Sequence, residues 1–266
     1  MHDPTDDDDA ALCGPERDAK RVLSGLGFKA SKVATTSEKT ADFRVEGDAP
    51  AYLVEVKSRL LDARLKLAAP GLSEPVTKPM RHDAKVGDWL AQSKRQFRTL
   101  DPGHERLWFL WCAMESPLGA LGQVERTISV LYGVREAMNA MPPHQTILVF
   151  YATPGAFERF PEIDGAVVLW PEGDGLTFCP NEASPRFDMV MRSKLVSSMR
   201  AAGVDAMLPA ERATLMDGYV VPPESRGPGH EVLRHVQQTK GLPYLSFQAL
   251  EVQYLQTGRV ALNMGE

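Results

Sequence analysis

The chain has 266 residues, of which 43% are hydrophobic and 24% charged, an ordinary globular composition with enough length for one large domain or one domain with an extension. Its three cysteines, Cys13, Cys112 and Cys179, lack CxxC spacing, so they predict neither a disulfide framework nor a cysteine-type zinc site. No apolar run approaches the ~18 residues of a membrane span, and the chain starts acidic where a secretory signal is basic, so we expect a cytoplasmic protein with no membrane partner.

The net charge of −5 is unevenly distributed along the chain. Residues 1–14 carry five Asp and no Lys or Arg, and we expect them to form a disordered acidic tail because they have little apolar content. Residues 15–114 carry 18 Lys and Arg against 13 Asp and Glu, whereas residues 115–266 are acidic again. A local basic excess suits a site that binds a polyanion, although solvated surface gives the same pattern.

Residues 15–28 predict the first helix. Pro15 suits an early helical position and Gly27 suits the end. Glu16 lies seven residues before Leu23 and therefore shares the inward-facing side of this helix. That side also carries the apolar residues Ala19, Val22, Leu23 and Leu26.

The elements predicted next complete an α-β-β-β-α-β order. Residues 60–80 contain three prolines and predict a long loop or flap that closes over substrate. A helix follows, with Val86, Leu90 and Phe97 at near-helical spacing. The predicted strands are 29–35, 41–46, 51–58 and the strongly apolar 105–114.

The C-terminal part predicts a mixture of helices and strands. A Pro- and Gly-rich break at residues 220–230 separates two groups of elements. The predicted helices are 121–141, 231–240 and 246–256, and the predicted strands are 146–151, 166–170 and 176–179.

The segment "AYLVEVKS" at residues 51–58 places charges inside a strand. Because side chains alternate across a strand, Leu53, Glu55 and Lys57 share one face. The other face is wholly apolar and must pack on a helix. If the hairpin turns through residues 47–50, Asp42 falls directly opposite Glu55.

Two carboxylates that face each other are destabilising unless positive charge lies between them, and Lys57 compensates only part of that repulsion. Mg²⁺ accepts one or two carboxylates and fills its other positions with water and phosphate oxygens. Such an ion polarises a phosphodiester, and a neighbouring lysine orients the attacking water. The alternative is an exposed edge hairpin whose outer face carries Asp, Glu and Lys without any catalytic role. Leu53 on the charged face favours a central strand instead.

Asp42, followed thirteen residues later by Glu55-Val56-Lys57 within an α-β-β-β-α-β order, resembles the PD-(D/E)xK nuclease superfamily. This superfamily includes restriction endonucleases, Holliday-junction resolvases and λ-exonuclease-like enzymes. The resemblance covers about residues 15–115 and departs from the motif at Ala41, where proline often precedes the aspartate. It implies an α/β, restriction-endonuclease-like core with a mixed sheet in residues 15–185. An α/β, mainly helical C-terminal extension would occupy residues 186–266.

The resemblance also implies roles for individual residues. Asp42 and Glu55 would be the metal ligands for Mg²⁺, with Mn²⁺ as an alternative ion, and Lys57 would be the catalytic lysine. Branches of the superfamily add an acidic residue on the first helix, which Glu16 matches. Other branches add a glutamine on the helix after the ExK strand, where the sequence offers Gln92 and Gln96, and we assign Gln96 to the site.

Candidate contacts for substrate phosphate are Arg59, Lys94, Arg95 and Arg98, although solvated surface charge explains each of them equally well. His82 at the start of the second core helix is a further candidate, for which a plain charge cluster with Arg81 and Asp83 is the favoured explanation. The histidines of "HEVLRH" at residues 230–235 are five apart and not the four that a zinc-protease helix needs. No GxSxG, Walker-type loop or GxGxxG motif occurs.

The sequence therefore predicts a Mg²⁺-dependent nuclease that hydrolyses phosphodiester bonds of nucleic acid in repair, restriction or defence, with DNA favoured over RNA. The alternative is a non-catalytic nucleic-acid-binding or assembly protein on the same fold. The C-terminal extension offers a surface for a homodimer or a protein partner.

Overall fold

The structure is a computed structural model. It describes residues 12–34, 40–47, 50–59, 76–79, 84–114, 120–142, 144–169, 175–248 and 251–254. The acidic tail up to residue 11, most of the predicted flap and His82 lie outside the described residues.

The elements alternate between helices and strands along the chain. The helices are α1 (Gly14–Gly25), α2 (Ala84–Leu100), α3 (Ala120–Tyr132), α4 (Ala156–Arg159), α5 (Phe187–Arg192), α6 (Lys194–Ala201), α7 (Pro209–Leu215) and α8 (Gly229–Lys240), with a 3₁₀ turn at Pro223–Ser225. The strands are β1 (Lys29–Lys32), β2 (Phe43–Glu46), β3 (Tyr52–Arg59), β4 (Val76–Pro79), β5 (Leu107–Met114), β6 (Arg135–Asn139), β7 (Gln145–Phe150), β8 (Gly165–Leu169), β9 (Leu176–Pro180), β10 (Tyr219–Val220), β11 (Leu245–Phe247) and β12 (Glu251–Tyr254).

Six strands form a mixed sheet in the order β1-β2-β3-β5-β8-β9. The strands β1, β2 and β3 are antiparallel neighbours, whereas β5 and β8 run parallel to β3 and β9 turns back along β8. The strand β3 is therefore a central strand and not an edge, as Leu53 on its charged face predicted. The described residues therefore form a mixed α/β fold with a sheet of mixed orientation, as predicted.

The alternation of β3 divides its side chains between two hydrophobic clusters. Tyr52 and Val54 pack with Ala19 and Leu23 of α1 on one face of the sheet. Leu53 lies on the other face, in a cluster that includes the apolar side of α2 at Val86, Leu90 and Phe97. The face of β3 that carries Glu55 and Lys57 therefore looks toward α2.

A second sheet of four strands has the order β10-β7-β6-β11, and β4 pairs with β12. The strands β6 and β7 precede residue 185, whereas β10 and β11 follow it. Segments from both sides of the predicted domain boundary therefore pair in one sheet.

Two predicted helices differ from the structure. The helix predicted over 121–141 ends at Tyr132, because Gly133 adopts a left-handed φ of 61° and the chain continues as β6. The helix predicted over 246–256 is absent from the described residues there, which form β11 and β12 instead. The strand β6 pairs with β7 and β11, and β12 pairs with β4. Such pairings override local helix propensity.

Candidate active site

The hairpin register brings Asp42 beside Glu55. Phe43 pairs with Val54 and Arg44 with Leu53, and the same register continued by one residue places Asp42 opposite Glu55, as the sequence predicted. The backbone N–H of Val56 donates to Oδ2 of Asp42 at 2.8 Å. This bond holds the Asp42 carboxylate against β3.

Glu55 is buried to 2% exposure at the point where β3 faces α2. The ammonium group of Lys57 donates to Oε1 of Glu55 and also to Oε1 of Gln96, the latter at 3.3 Å. The amide nitrogen of Gln96 in turn donates to the carbonyl of Thr40 at 3.0 Å. Gln96 therefore connects α2 both to the lysine and to the segment that leads into Asp42.

One oxygen of Glu55 is left without a partner. Among the described residues, no donor reaches Oε2 of this buried carboxylate. The pKa of Glu55 is raised to about 7, mainly by burial and also by the nearby Asp42 charge, while the contacts with Lys57 and Gln96 oppose the rise. A buried carboxylate oxygen without a donor is costly, so this atom is suited to an added cation or proton.

Lys32 belongs to the same cluster, although the sequence reasoning did not identify it. Its ammonium group donates to Oδ1 of Asp42 at 2.9 Å and to Oε1 of Glu16. The second oxygen of Glu16 accepts the backbone N–H of Cys13 at 3.0 Å, at the start of α1. Burial lowers the pKa of Lys32, but its bonds to Glu16 and Asp42 outweigh that effect and the pKa lies above its usual value.

The pairing of β1 with β2 explains how Lys32 reaches the site. Lys32 is opposite Phe43 in that ladder, and the backbone N–H of Val33 donates to the carbonyl of Asp42 at 2.9 Å. A lysine at the end of β1, next to the motif aspartate, was the available signal. To predict from the sequence that Lys32 reaches Asp42, one needs the register of β1 with β2 as well as that of β2 with β3.

These side chains line one cavity of about 300 Å³. It lies at the end of β3 between α1 and α2. All five predicted catalytic residues contribute to it, together with Lys32 and the second candidate glutamine: Glu16, Lys32, Asp42, Glu55, Lys57, Gln92 and Gln96.

The cavity offers a hard divalent cation two carboxylate ligands, which is too few for a site made of protein groups alone. Among the described residues, no group of three or more His, Cys, Asp or Glu side chains is arranged to hold a metal ion. Mg²⁺ needs fewer protein ligands, because it keeps several waters and binds through one or two carboxylates. Asp42 and the partnerless Oε2 of Glu55 are the groups that meet this requirement.

The predicted phosphate contacts have different surroundings. Lys94 forms an ion pair with Glu162, which also receives a hydrogen bond from Arg98 at 3.1 Å. Arg95 is exposed on α2. Arg59 is the last residue of β3, where its backbone pairs with Met114.

The chain matches no protein-family model, no curated protein and no solved structure. None of the described helices has the length and apolar character that a membrane crossing requires. The geometry of the cavity is therefore the basis for inferring a function.

Proposed function

We propose that the chain is a metal-dependent nuclease with a restriction-endonuclease-like core, acting on DNA in preference to RNA. The observation that carries the proposal is the buried Oε2 of Glu55, which has no hydrogen-bond partner among the described residues. Glu55 lines the same cavity as Asp42, and its other oxygen accepts from Lys57. A carboxylate pair next to an oriented ammonium group, at the end of a central strand, suits hydrolysis of a phosphodiester.

Each side chain has a distinct task in this mechanism. Asp42 and Glu55 would hold Mg²⁺ or Mn²⁺, which when bound would polarise the phosphodiester and favour ionisation of water. Lys57 is kept in place by Glu55 and Gln96, so its one remaining N–H donor can orient the attacking water or a phosphate oxygen. Gln96 is a positioning residue, because its own amide is fixed by Thr40.

The alternative, a non-catalytic nucleic-acid-binding or assembly protein, is favoured by one observation. Lys32 and Lys57 already pair with the three carboxylates of the cavity, so the charge cluster is largely compensated by the chain's own lysines. Such a cluster could persist as a structural feature.

Cleavage assays on single- and double-stranded DNA and RNA, with Mg²⁺, Mn²⁺ or EDTA, test the proposal. We expect cleavage that requires the divalent cation, favours DNA and disappears in Glu55→Gln. A matched control is Glu46→Gln, which removes an exposed carboxylate from the neighbouring strand β2. Binding of nucleic acid without cleavage under every condition would support the non-catalytic alternative.

A further inference from the structure

Lys32 occupies the space between two carboxylates of the cavity. Its ammonium group bonds Oδ1 of Asp42 at 2.9 Å and also Oε1 of Glu16, although these acids are 26 positions apart in sequence. The three side chains are largely shielded from solvent, with exposures of 26% for Lys32, 16% for Glu16 and 18% for Asp42. The ammonium group also lies 5.3 Å from the ring centre of Phe43, its partner in the β1–β2 ladder.

This arrangement gives Asp42 two hydrogen-bond partners before any ligand enters. Oδ2 accepts the N–H of Val56, and Oδ1 accepts Lys32. The Val56 amide is part of β3 and is fixed by the sheet, whereas Lys32 has four rotatable side-chain bonds. Lys32 is therefore the partner that can withdraw when a cation approaches Asp42.

A divalent cation and the Lys32 ammonium group compete for the same charge. Unit charges a few ångströms apart interact strongly in a partly buried site, where water screens them less than at the surface. An ammonium group already beside Asp42 therefore weakens the attraction of the cluster for a second cation. Without it, Glu16 and Asp42 would lose their shared counter-charge and repel each other more strongly.

We propose that Lys32 is an internal counter-ion that competes with the divalent cation, sets the affinity of the cavity for that cation and keeps Glu16 and Asp42 together when no cation is bound. The inference rests on the proposed function and deepens it, because it assigns a regulatory role within the same site. Lys32 is a positioning residue here and makes no contact with the reacting atoms.

The test measures cation binding directly, without nucleic acid. Mn²⁺ affinity is measured by electron paramagnetic resonance on the full chain, for wild type, Lys32→Met and Lys32→Arg at mildly alkaline pH. Methionine keeps much of the side-chain length without the charge, whereas arginine keeps the charge. Lys29→Met is the matched control, since it removes an exposed lysine from the same strand.

We expect Lys32→Met to bind Mn²⁺ about ten- to a hundredfold more tightly than wild type. Lys32→Arg and Lys29→Met should stay within about threefold of wild type. Lys32→Met should also have a lower melting temperature than wild type in EDTA, and Mn²⁺ should raise that temperature more in the variant than in wild type.

The outcomes separate this inference from the proposed function. Equal or weaker Mn²⁺ binding by Lys32→Met, in a preparation whose wild type binds Mn²⁺ and cleaves nucleic acid, overturns the inference and leaves the nuclease standing. Tighter binding by a folded Lys32→Met supports the inference even where no cleavage is detected. If Lys32→Met does not fold, Lys32→Gln replaces it and the same comparison decides.

Discussion

Lys57 and Gln96 are 39 residues apart in sequence, yet the ammonium group of the lysine donates to Oε1 of the glutamine at 3.3 Å. This bond joins the central strand β3 to α2 at the wall of the cavity. A neutral amide suits this position, because it accepts from the lysine and donates to the Thr40 carbonyl without adding charge to a crowded site. The pairing also distinguishes Gln96 from Gln92, the second candidate on the same helix.

Gln96→Ala should slow cleavage by about ten- to a hundredfold, equivalent to roughly 1.4–2.7 kcal/mol of transition-state stabilisation. The effect should fall on kcat, with KM for nucleic acid nearly unchanged, because Gln96 orients Lys57 and does not bind substrate. Gln92→Ala, which alters the same cavity wall, is the control and should have a smaller effect. Steady-state kinetics of wild type, Gln96→Ala and Gln92→Ala provide the comparison. A wild-type kcat in Gln96→Ala would show that Gln96 has no role in catalysis.

Glu55→Gln and Lys57→Ala should each reduce cleavage by more than about a hundredfold. The first change removes the buried charge that faces the cavity, and the second removes the oriented ammonium group. Both variants should still unfold cooperatively, because the hydrophobic clusters on either side of β3 are unaffected. Single-turnover cleavage together with thermal unfolding tests this prediction, and unchanged cleavage in either folded variant would place the chemistry elsewhere.

The stability of the protein in EDTA should depend on pH through Glu55. Burial raises the pKa of its carboxyl to about 7, above the value of 4.5 that it would have in an unfolded chain. Between these values the folded state binds the proton more tightly than the unfolded state, so this group's contribution to stability falls as pH rises from about 4.5 to about 7. Glu55→Gln removes that contribution, which is on the order of a few kcal/mol.

The measurement is the free energy of unfolding of wild type and Glu55→Gln in urea across this pH range. The difference between the two proteins isolates Glu55 from groups with lowered pKa values, such as Glu16 and Asp101, whose contributions have the opposite sign. We expect the variant to gain stability relative to wild type as pH rises. A difference that stays constant with pH would contradict the raised pKa.

The proximity of Asp42, Glu55 and Lys57 could be predicted from local regularities, whereas Glu16 was assigned to the site through the family resemblance. The alternation of β3 fixed which residues share a face, and a single tight turn fixed the position of Asp42 opposite Glu55. Helical spacing on α2 placed both Gln92 and Gln96 at the edge of the apolar side marked by Phe97, and the family resemblance then assigned Gln96 to the site.

The parts that were missed depend on contacts between distant segments. Lys32 reaches Glu16 only when α1 docks on the sheet and β1 pairs with β2, two relationships that no short window contains. The segment that forms β6 includes the helix formers Glu136, Ala137 and Met138, so local propensity favours a helix there. Its pairing with β7 and β11 decides otherwise.

Arg186→Met should destabilise the fold by about 3–5 kcal/mol, because it leaves a buried carboxylate without its cationic partner. That carboxylate is Asp164, which is fully buried and accepts the N–H of Trp108 and the hydroxyl of Ser184, each at 2.7 Å. Arg186 pairs with Asp164 and also donates to the backbone carbonyl of His104 at 2.8 Å.

Urea unfolding of Arg186→Met measures the loss. The matched control is Arg192→Met, which removes an arginine whose hydrogen bond stays within α5 and is exposed. We expect the control to stay within about 0.5 kcal/mol of wild type. Equal stabilities for the two variants would show that the Asp164 pairing does not support the fold.

Arg95 and Lys94 are adjacent on α2 but should differ in their effect on nucleic-acid binding. Arg95 is exposed, so its charge is available to a phosphate, whereas Lys94 is held by Glu162. Arg95→Gln should therefore weaken binding across all sequences and reduce the dependence of log affinity on log salt by about one. Lys94→Gln should leave that slope nearly unchanged and lower stability by less than about 1 kcal/mol, since it breaks a partly exposed ion pair.

Fluorescence anisotropy at several salt concentrations, with Ca²⁺ in place of Mg²⁺ to limit cleavage, measures both slopes. An equal loss of slope in the two variants would show that the Glu162 pair opens when nucleic acid binds.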